Sequence, residues 1–186
     1  MDSRPRVIRR AAEAAAVLAV VLAFGVGLPA INHAVPARRA VPAGAPFPVG
    51  AGVTVVPPAG AQYDVTRTAA RASQGAVLFV VGNLRYTVVV LTVDRTLAEA
   101  AAALRTKITS RGGYQLVGRQ AATSTAQGVP GVQGGYATSG RAGRYAVFVY
   151  AGRTVEVTFA GTDLELHDTL PALSASVNSL YFGKAG

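Results

Sequence analysis

The sequence predicts an α+β protein: an N-terminal transmembrane helix followed by an antiparallel β-sheet domain packed with two main helices. Three observations carry this. Residues 14–31 are eighteen consecutive positions without a charge. Residues 76–81 and 85–93 are β-branched runs on either side of a Gly82-Asn83 corner. Thr96-Leu97-Ala98-Glu99 opens a stretch of helical period, and a strand meander and a second such stretch follow it.

The apolar run spans about 27 Å as a helix, close to the hydrocarbon core of a bilayer. Arg4, Arg6, Arg9 and Arg10 precede it, and no basic residue follows until Arg38 and Arg39. The more basic flank stays in the cytoplasm, so residues 1–13 form a cytoplasmic tail and the C-terminal domain is extracytoplasmic. A cleaved signal peptide has the same layout, and Val35-Pro36-Ala37 offers small residues before a cut. Eighteen residues exceed the usual signal core of about 7–15, which favours a retained anchor, although Gly25, Gly27 and Pro29 weaken its far end. A soluble core helix is the third reading.

Residues 32–50 hold Pro36, Pro42, Pro46 and Pro48 among small residues and show no apolar period. They are expected to form an extended linker of up to roughly 60 Å, with the folded domain over residues 51–183.

The domain opens with Gly52-Val53-Thr54-Val55-Val56, which alternates like a strand and stops at Pro57-Pro58-Ala59-Gly60. A short strand is expected over residues 63–67. Gly82-Asn83-Leu84 then joins two strands as a hairpin, because a Gly-Asn corner supplies the positive φ of a tight turn. Residues 86–91 are apolar on both faces, which suits a central strand.

Thr96 and Glu99 form a capping box, and Leu97, Ala101, Leu104 and Ile108 fall on one helical face. Arg105, Lys107 and Arg111 suit the helix C-terminus, and Gly112-Gly113 ends it. A short pair over 114–117 and 120–124 precedes a meander over 132–139, 145–150 and 154–160. In the last of these, Val155, Val157 and Phe159 share one face. The closing helix is expected to be capped by Asp168, with Pro171 in its first turn and Leu170, Leu173, Val177 and Leu180 as its buried stripe.

This order resembles the Mog1/PsbP-like domains of exported lipoproteins and membrane-anchored proteins of actinobacteria. The residues that carry the resemblance are the Val53 to Gly60 opening, the hairpin, the Ala-rich helix, Gly131-Val132 and Gly135-Tyr136 before the meander, and Ser179-Leu180-Tyr181-Phe182 at the end of the last helix. It covers residues 50–183. The chain departs from the lipoproteins in having no cysteine to lipidate. The resemblance implies a binding or accessory subunit rather than an enzyme, and it carries over no binding residues.

Composition narrows the chemistry. With no cysteine, disulfides, thiolate metal sites and a lipidated-cysteine anchor are excluded. The net charge is +9; from residue 32 onward 14 basic and 7 acidic side chains leave +7. Such a surface attracts polyanions, among them anionic envelope polymers and headgroups. The plainer reading is compositional, since the chain is rich in Ala, Gly, Val and Arg.

No nucleophile elbow, phosphate loop, dinucleotide fingerprint or zinc-protease motif is present. His33 lies in the linker. Asp163, Glu165, His167 and Asp168 form the one acid–imidazole cluster, readable as a hard-metal or hydrolytic site. Acids gathered at a helix N-terminus, where they complement its dipole, are the favoured reading, and Thr162-x-x-Glu165 is itself a capping box. Arg141, Arg144 and Arg153 fall at meander turns, with Arg153 expected at the opposite end and all three solvated. Phe148 and Phe159 are assigned to the core.

No catalytic, metal or cofactor residue is assigned. The expected partners are the membrane, through residues 14–31, and an envelope protein or anionic envelope component. Nucleic acid is not among them, because the domain is exported.

Overall fold

Val81 and Leu84 face each other across a two-residue turn in which Gly82 takes φ +61°. Glycine adopts that value without steric cost, and the turn sets the register of the hairpin. It joins strands β6 (Gly75–Val81) and β7 (Leu84–Thr92). This geometry comes from a computed structural model that describes residues 37–110 and 112–184. The expected membrane span over 14–31 and His33 lie outside those residues. Among the described residues no helix is long and apolar enough to cross a membrane.

In chain order the remaining elements are β1 (Arg38–Ala40), β2 (Phe47–Gly50), β3 (Val53–Val55), β4 (Gln62–Asp64), a 3-10 turn (Val65–Arg67) and β5 (Ala69–Ala70). After the hairpin come helix α1 (Leu97–Thr109), β8 (Gln115–Ser124), β9 (Pro130–Thr138), β10 (Arg141–Tyr150) and β11 (Arg153–Gly161). Helix α2 (Asp163–Asn178) and β12 (Tyr181–Phe182) close the chain.

The main sheet is antiparallel, in the order β1-β4-β6-β7-β11-β10-β9-β8, with β5 also paired to β6; β12-β3-β2 form a small second sheet. The hairpin and the meander meet where β7 pairs with β11, which makes β7 central, as expected.

Strand alternation gives the sheet two faces. One carries Phe79, Tyr86, Val88, Val90, Phe148, Val155, Val157 and Phe159, which form the main core with Leu166, Leu173 and Val177 of α2 and Val49, Val53 and Val55 of the small sheet. Rings run across it: Phe47–Phe79, Phe79–Tyr86 and Tyr86–Phe159 have centroids 5.2, 5.3 and 4.7 Å apart. The other face carries Tyr136, Tyr145 and Val147 under Ala100, Leu104 and Ile108 of α1. Each helix therefore buries its stripe on a different face, and each fully buried Leu, Val or Phe contributes about 1.5–3 kcal/mol.

Both helices start on complete capping boxes, Thr96 with Glu99 and Thr162 with Glu165. The second replaces the expected start at Asp168, which lies inside α2. Pro171 accordingly sits in the helix interior rather than its first turn. Lacking an N–H, it leaves the His167 carbonyl without its i+4 donor. Leu170 is half-buried, and Leu180 is buried after the helix has ended. Of the stretch 179–182 expected as the helix end, Ser179 caps α2 and Tyr181–Phe182 form β12, pairing Tyr181 with Thr54 and Phe182 with Val53.

Within the stretch expected as linker over 32–50, two of the described segments are strands. Arg38–Ala40 pairs with β4, and Phe47–Gly50 pairs with β3 and buries Val49 completely. The prolines permit this because Pro48 lies on an outer strand of the small sheet. Of the strand expected over 63–67, only Tyr63 and Asp64 are extended; Asp64 then caps the 3-10 turn through Thr66 and Arg67 backbone N–H groups. The short pair expected over 114–124 is one strand, β8, with a register shift between Val117 and Ala121 around Gly118 at φ +72°.

Candidate functional site

On the α1 face, β6, β7, β11, β10 and β9 place Val80, Arg85, Ala160, Gly143 and Tyr136 in one cross-strand row. The adjacent row holds Leu78, Thr87, Thr158 and Tyr145. Helix α1 covers the β10 end of these rows and stops at Thr109, so the β6–β7 end beside Ile108 stays open. The result is a pocket of about 320 Å³, within the usual range of small-molecule sites.

Its floor is Thr87, Thr158 and Ala160. One wall is apolar, from Leu78 and Ile108, and another is the ring pair Tyr114–Tyr136, whose centroids are 5.7 Å apart at 60°. Gly143 makes that wall possible. A Cβ there would lie 2.2 Å from the Tyr136 ring, so only glycine lets the ring lie across β10. The Tyr136 hydroxyl then donates to the Phe159 carbonyl at 2.6 Å, which anchors the ring.

Three arginines complete the lining: Arg67 from the 3-10 turn, Arg85 from β7 and Arg141 from β10. All three are exposed, and among the described residues none has an ion-pair or hydrogen-bond partner for its guanidinium. The nearest acids are engaged elsewhere. Glu156, two residues from Thr158 on the same face, is buried and bonded to Lys107 Nζ at 2.9 Å.

Asp64 is held below the ordinary carboxylate range, first by the Thr66 hydroxyl, with a small pull from Arg67. Glu165 is held low first by the Asn83 amide at 2.8 Å, then by its capping bonds to Thr162, with Arg141 adding least. Among the described residues no carboxylate lines the pocket, so it presents three cations, two threonine hydroxyls and an aromatic wall of two tilted rings. That set can bind an anion.

The cluster at 163–168 is not brought together. At 100° per helical residue, Asp163 and His167 share a side of α2 while Glu165 points away from it. Glu165 spends its carboxylate on the capping box and on Asn83. Asp163, His167 and Asp168 are exposed, and among the described residues no three His, Asp or Glu side chains are placed to hold a metal.

Of the three meander arginines, Arg141 enters the pocket. Arg144 points to the opposite face beside α2, where it lines two open hollows with Gln133. Arg153 does lie at the other end from Arg141, but it is not solvated. It is 6% exposed, its Nη1 donates to the Ala51 and Gly183 carbonyls at 2.9 and 2.8 Å, and its guanidinium lies 5.7 Å from the Phe182 ring. It is a structural cation tying β11 to both strands of the small sheet's exit.

Arg67 and Arg85 were not singled out by the sequence. Arg85 was accessible in principle: it shares alternation parity with Thr87 on a central strand, a face that is polar at one end only. Arg67 arrives through the 3-10 turn, and no periodicity announces it.

No protein-family model matches the chain, and no curated protein matches it by sequence. Among solved structures it is similar to a protein of unknown function from Pseudomonas aeruginosa described as a putative regulator, at 16% identity and TM-score 0.46 over 59% of this chain and 83% of that one. It is also similar to the cyanobacterial PsbP of Synechocystis sp. PCC 6803, at 10% identity and TM-score 0.46 over 77% and 98%. A third is LpqN, involved in cell envelope biogenesis of Mycobacterium tuberculosis, at 17% identity and TM-score 0.47 over 73% and 89%. At these identities and scores they are similarities of arrangement only.

Proposed function

We propose that the chain is a non-catalytic recognition module, held at the outer face of a cell membrane by residues 14–31, that binds an anionic envelope component in the arginine-lined pocket. One observation carries the reading: three guanidinium groups, none with a partner among the described residues, line one pocket that contains no carboxylate. A cleft lined by charges of one sign concentrates counter-ions, and an anionic ligand supplies the charge-assisted hydrogen bonds the lining lacks. The charge asymmetry around residues 14–31 supports an N-in anchor, which would present the domain to envelope anions.

The test is a thermal-unfolding titration of the full chain in neutral detergent with inorganic phosphate and with sulfate. Both ions stabilise any protein by exclusion from its surface, so the readout is the difference between wild type and the triple variant Arg67→Gln, Arg85→Gln, Arg141→Gln. The wild type is expected to gain several degrees more than the variant at 50 mM ion. Equal gains would overturn anion binding at this pocket.

A further inference from the structure

We propose, resting on the anion-binding reading above, that the pocket selects a phosphomonoester carried on a ring or comparably flat apolar group, in preference to a carboxylate, a sulfonate or a phosphodiester. Charge is the first reason. A singly charged ligand would leave most of the +3 of Arg67, Arg85 and Arg141 uncompensated, whereas a phosphomonoester brings about two negative charges at neutral pH. Three acids lie near without replacing it: Glu156 is taken by Lys107, and Asp64 and Glu165 are outside the lining and feel Arg67 and Arg141 only as their weakest influence.

Donor count is the second reason. Guanidinium forks bind oxyanions two oxygens at a time, and a phosphomonoester offers three terminal oxygens where a diester or carboxylate offers two. Thr87 and Thr158, directly opposite each other on β7 and β11, add two hydroxyl donors on the floor.

Size and wall chemistry give the rest. A cavity of about 320 Å³ equals roughly ten waters at about 30 Å³ each, well beyond the five heavy atoms of a phosphate group. The remaining space is bounded by Leu78, Ile108 and the Tyr114–Tyr136 pair. Tyr136 is fixed by its bond to the Phe159 carbonyl, so the wall is a preformed surface on which a ring lies without further ordering.

The experiment is calorimetric titration of the full chain in neutral detergent with phenyl phosphate, inorganic phosphate, benzenesulfonate, benzoate and diphenyl phosphate. At pH 7.5 phenyl phosphate is expected to bind at least tenfold more tightly than each of the others. Among the described residues no histidine or carboxylate lines the pocket, and the neighbouring Asp64 and Glu165 are both held below the ordinary carboxylate range, so acidification to pH 5 acts through the ligand. Its second proton returns near pH 6, and phenyl phosphate is expected to weaken severalfold while benzenesulfonate does not.

Arg85→Gln is expected to cost phenyl phosphate tenfold. Arg144→Gln, the same charge change on the opposite face, is expected to cost less than twofold. Benzenesulfonate or inorganic phosphate binding as tightly as phenyl phosphate would overturn the inference while leaving anion recognition standing. Binding of none of the five would overturn both.

Discussion

Arg153 is buried without an acid, and its replacement tests whether such a cation stabilises the fold or burdens it. In Arg153→Met the aliphatic stem keeps its packing and the charge is lost. Two charge-assisted hydrogen bonds, to the Ala51 and Gly183 carbonyls, disappear, each contributing about 1.5–3 kcal/mol. The stacking on Phe182 adds about 0.5–2 kcal/mol. Against this, removing the cation returns its desolvation penalty, several kcal/mol for a buried ion. That penalty is raised here because Nε is buried with no partner among the described residues.

Gly183 is half-exposed and water can replace the lost donor there, whereas Ala51 is 2% exposed and its carbonyl is left unsatisfied. The balance is a net loss of about 1–3 kcal/mol, set by that one carbonyl. For a folded unit spanning Arg38–Gly186 this lowers the unfolding midpoint by about 3–9 °C. Arg153→Lys keeps a charge but not the planar fork, and falls between the two. Far-UV circular dichroism melts of the full chain read all three. A Met variant as stable as the wild type would refute the reasoning, because the desolvation cost would then outweigh every bond the guanidinium makes.

Ala151 sits in the β10–β11 turn at φ +48°, a left-handed value that costs a non-glycine residue about 1–2 kcal/mol. Ala151→Gly is expected to raise the unfolding free energy read by urea titration by about 0.5 kcal/mol after glycine's extra unfolded-state entropy; a decrease would contradict the strain. Ser176 Oγ lies 2.7 Å from the Val56 carbonyl and 3.0 Å from the Tyr86 hydroxyl. The carbonyl only accepts, so Ser176 donates to it and Tyr86 donates to Ser176. Burial first, with that bond opposing it, holds the Tyr86 phenol far above its ordinary pKa. Tyr86→Phe is therefore expected to cost about 1 kcal/mol and Ser176→Ala about 2, with coupling in the double variant; additive losses would deny the shared network. Glu99, lowered first by its bond from the Thr96 backbone, and Glu165, lowered first by Asn83, both favour the folded state when ionised. Their contribution is complete above the ordinary glutamate pKa of about 4.3 and disappears as pH falls through their lower folded values. Glu99→Gln with Glu165→Gln should flatten the loss of stability below pH 4.5; an unchanged acid slope would show the caps carry none of it.

Much of the fold is legible in residue pattern. The Gly82-Asn83 corner, the Thr96 capping box and the alternation of residues 154–160 each act over a few positions, where local chemistry decides. The misreadings share a cause. Phe47–Gly50 reads as linker because four prolines and small residues give no period, yet Val49 is buried once β3, β6 and β7 pack around its strand. Thr162 and Asp168 are both plausible caps in sequence, and packing of Leu166 into the core selects the earlier one. Arg153 reads as a solvated turn residue because its partners, Ala51 and Gly183, are 102 and 30 residues away.

The candidate site was the least legible part. Its arginines come from a 3-10 turn, a hairpin and a meander, and only the β7–β11 pairing brings Arg85 beside Ala160 and Thr87 beside Thr158. The sequence by itself determined the elements, the cysteine-free chemistry, the basic charge and the apolar run at 14–31, because each is a property of composition or of neighbours along the chain. Tertiary structure alone decided which basic residues are free to meet a ligand and which, like Arg153, hold the fold together. Strand register and helix length set that division, by leaving one end of the α1 face uncovered.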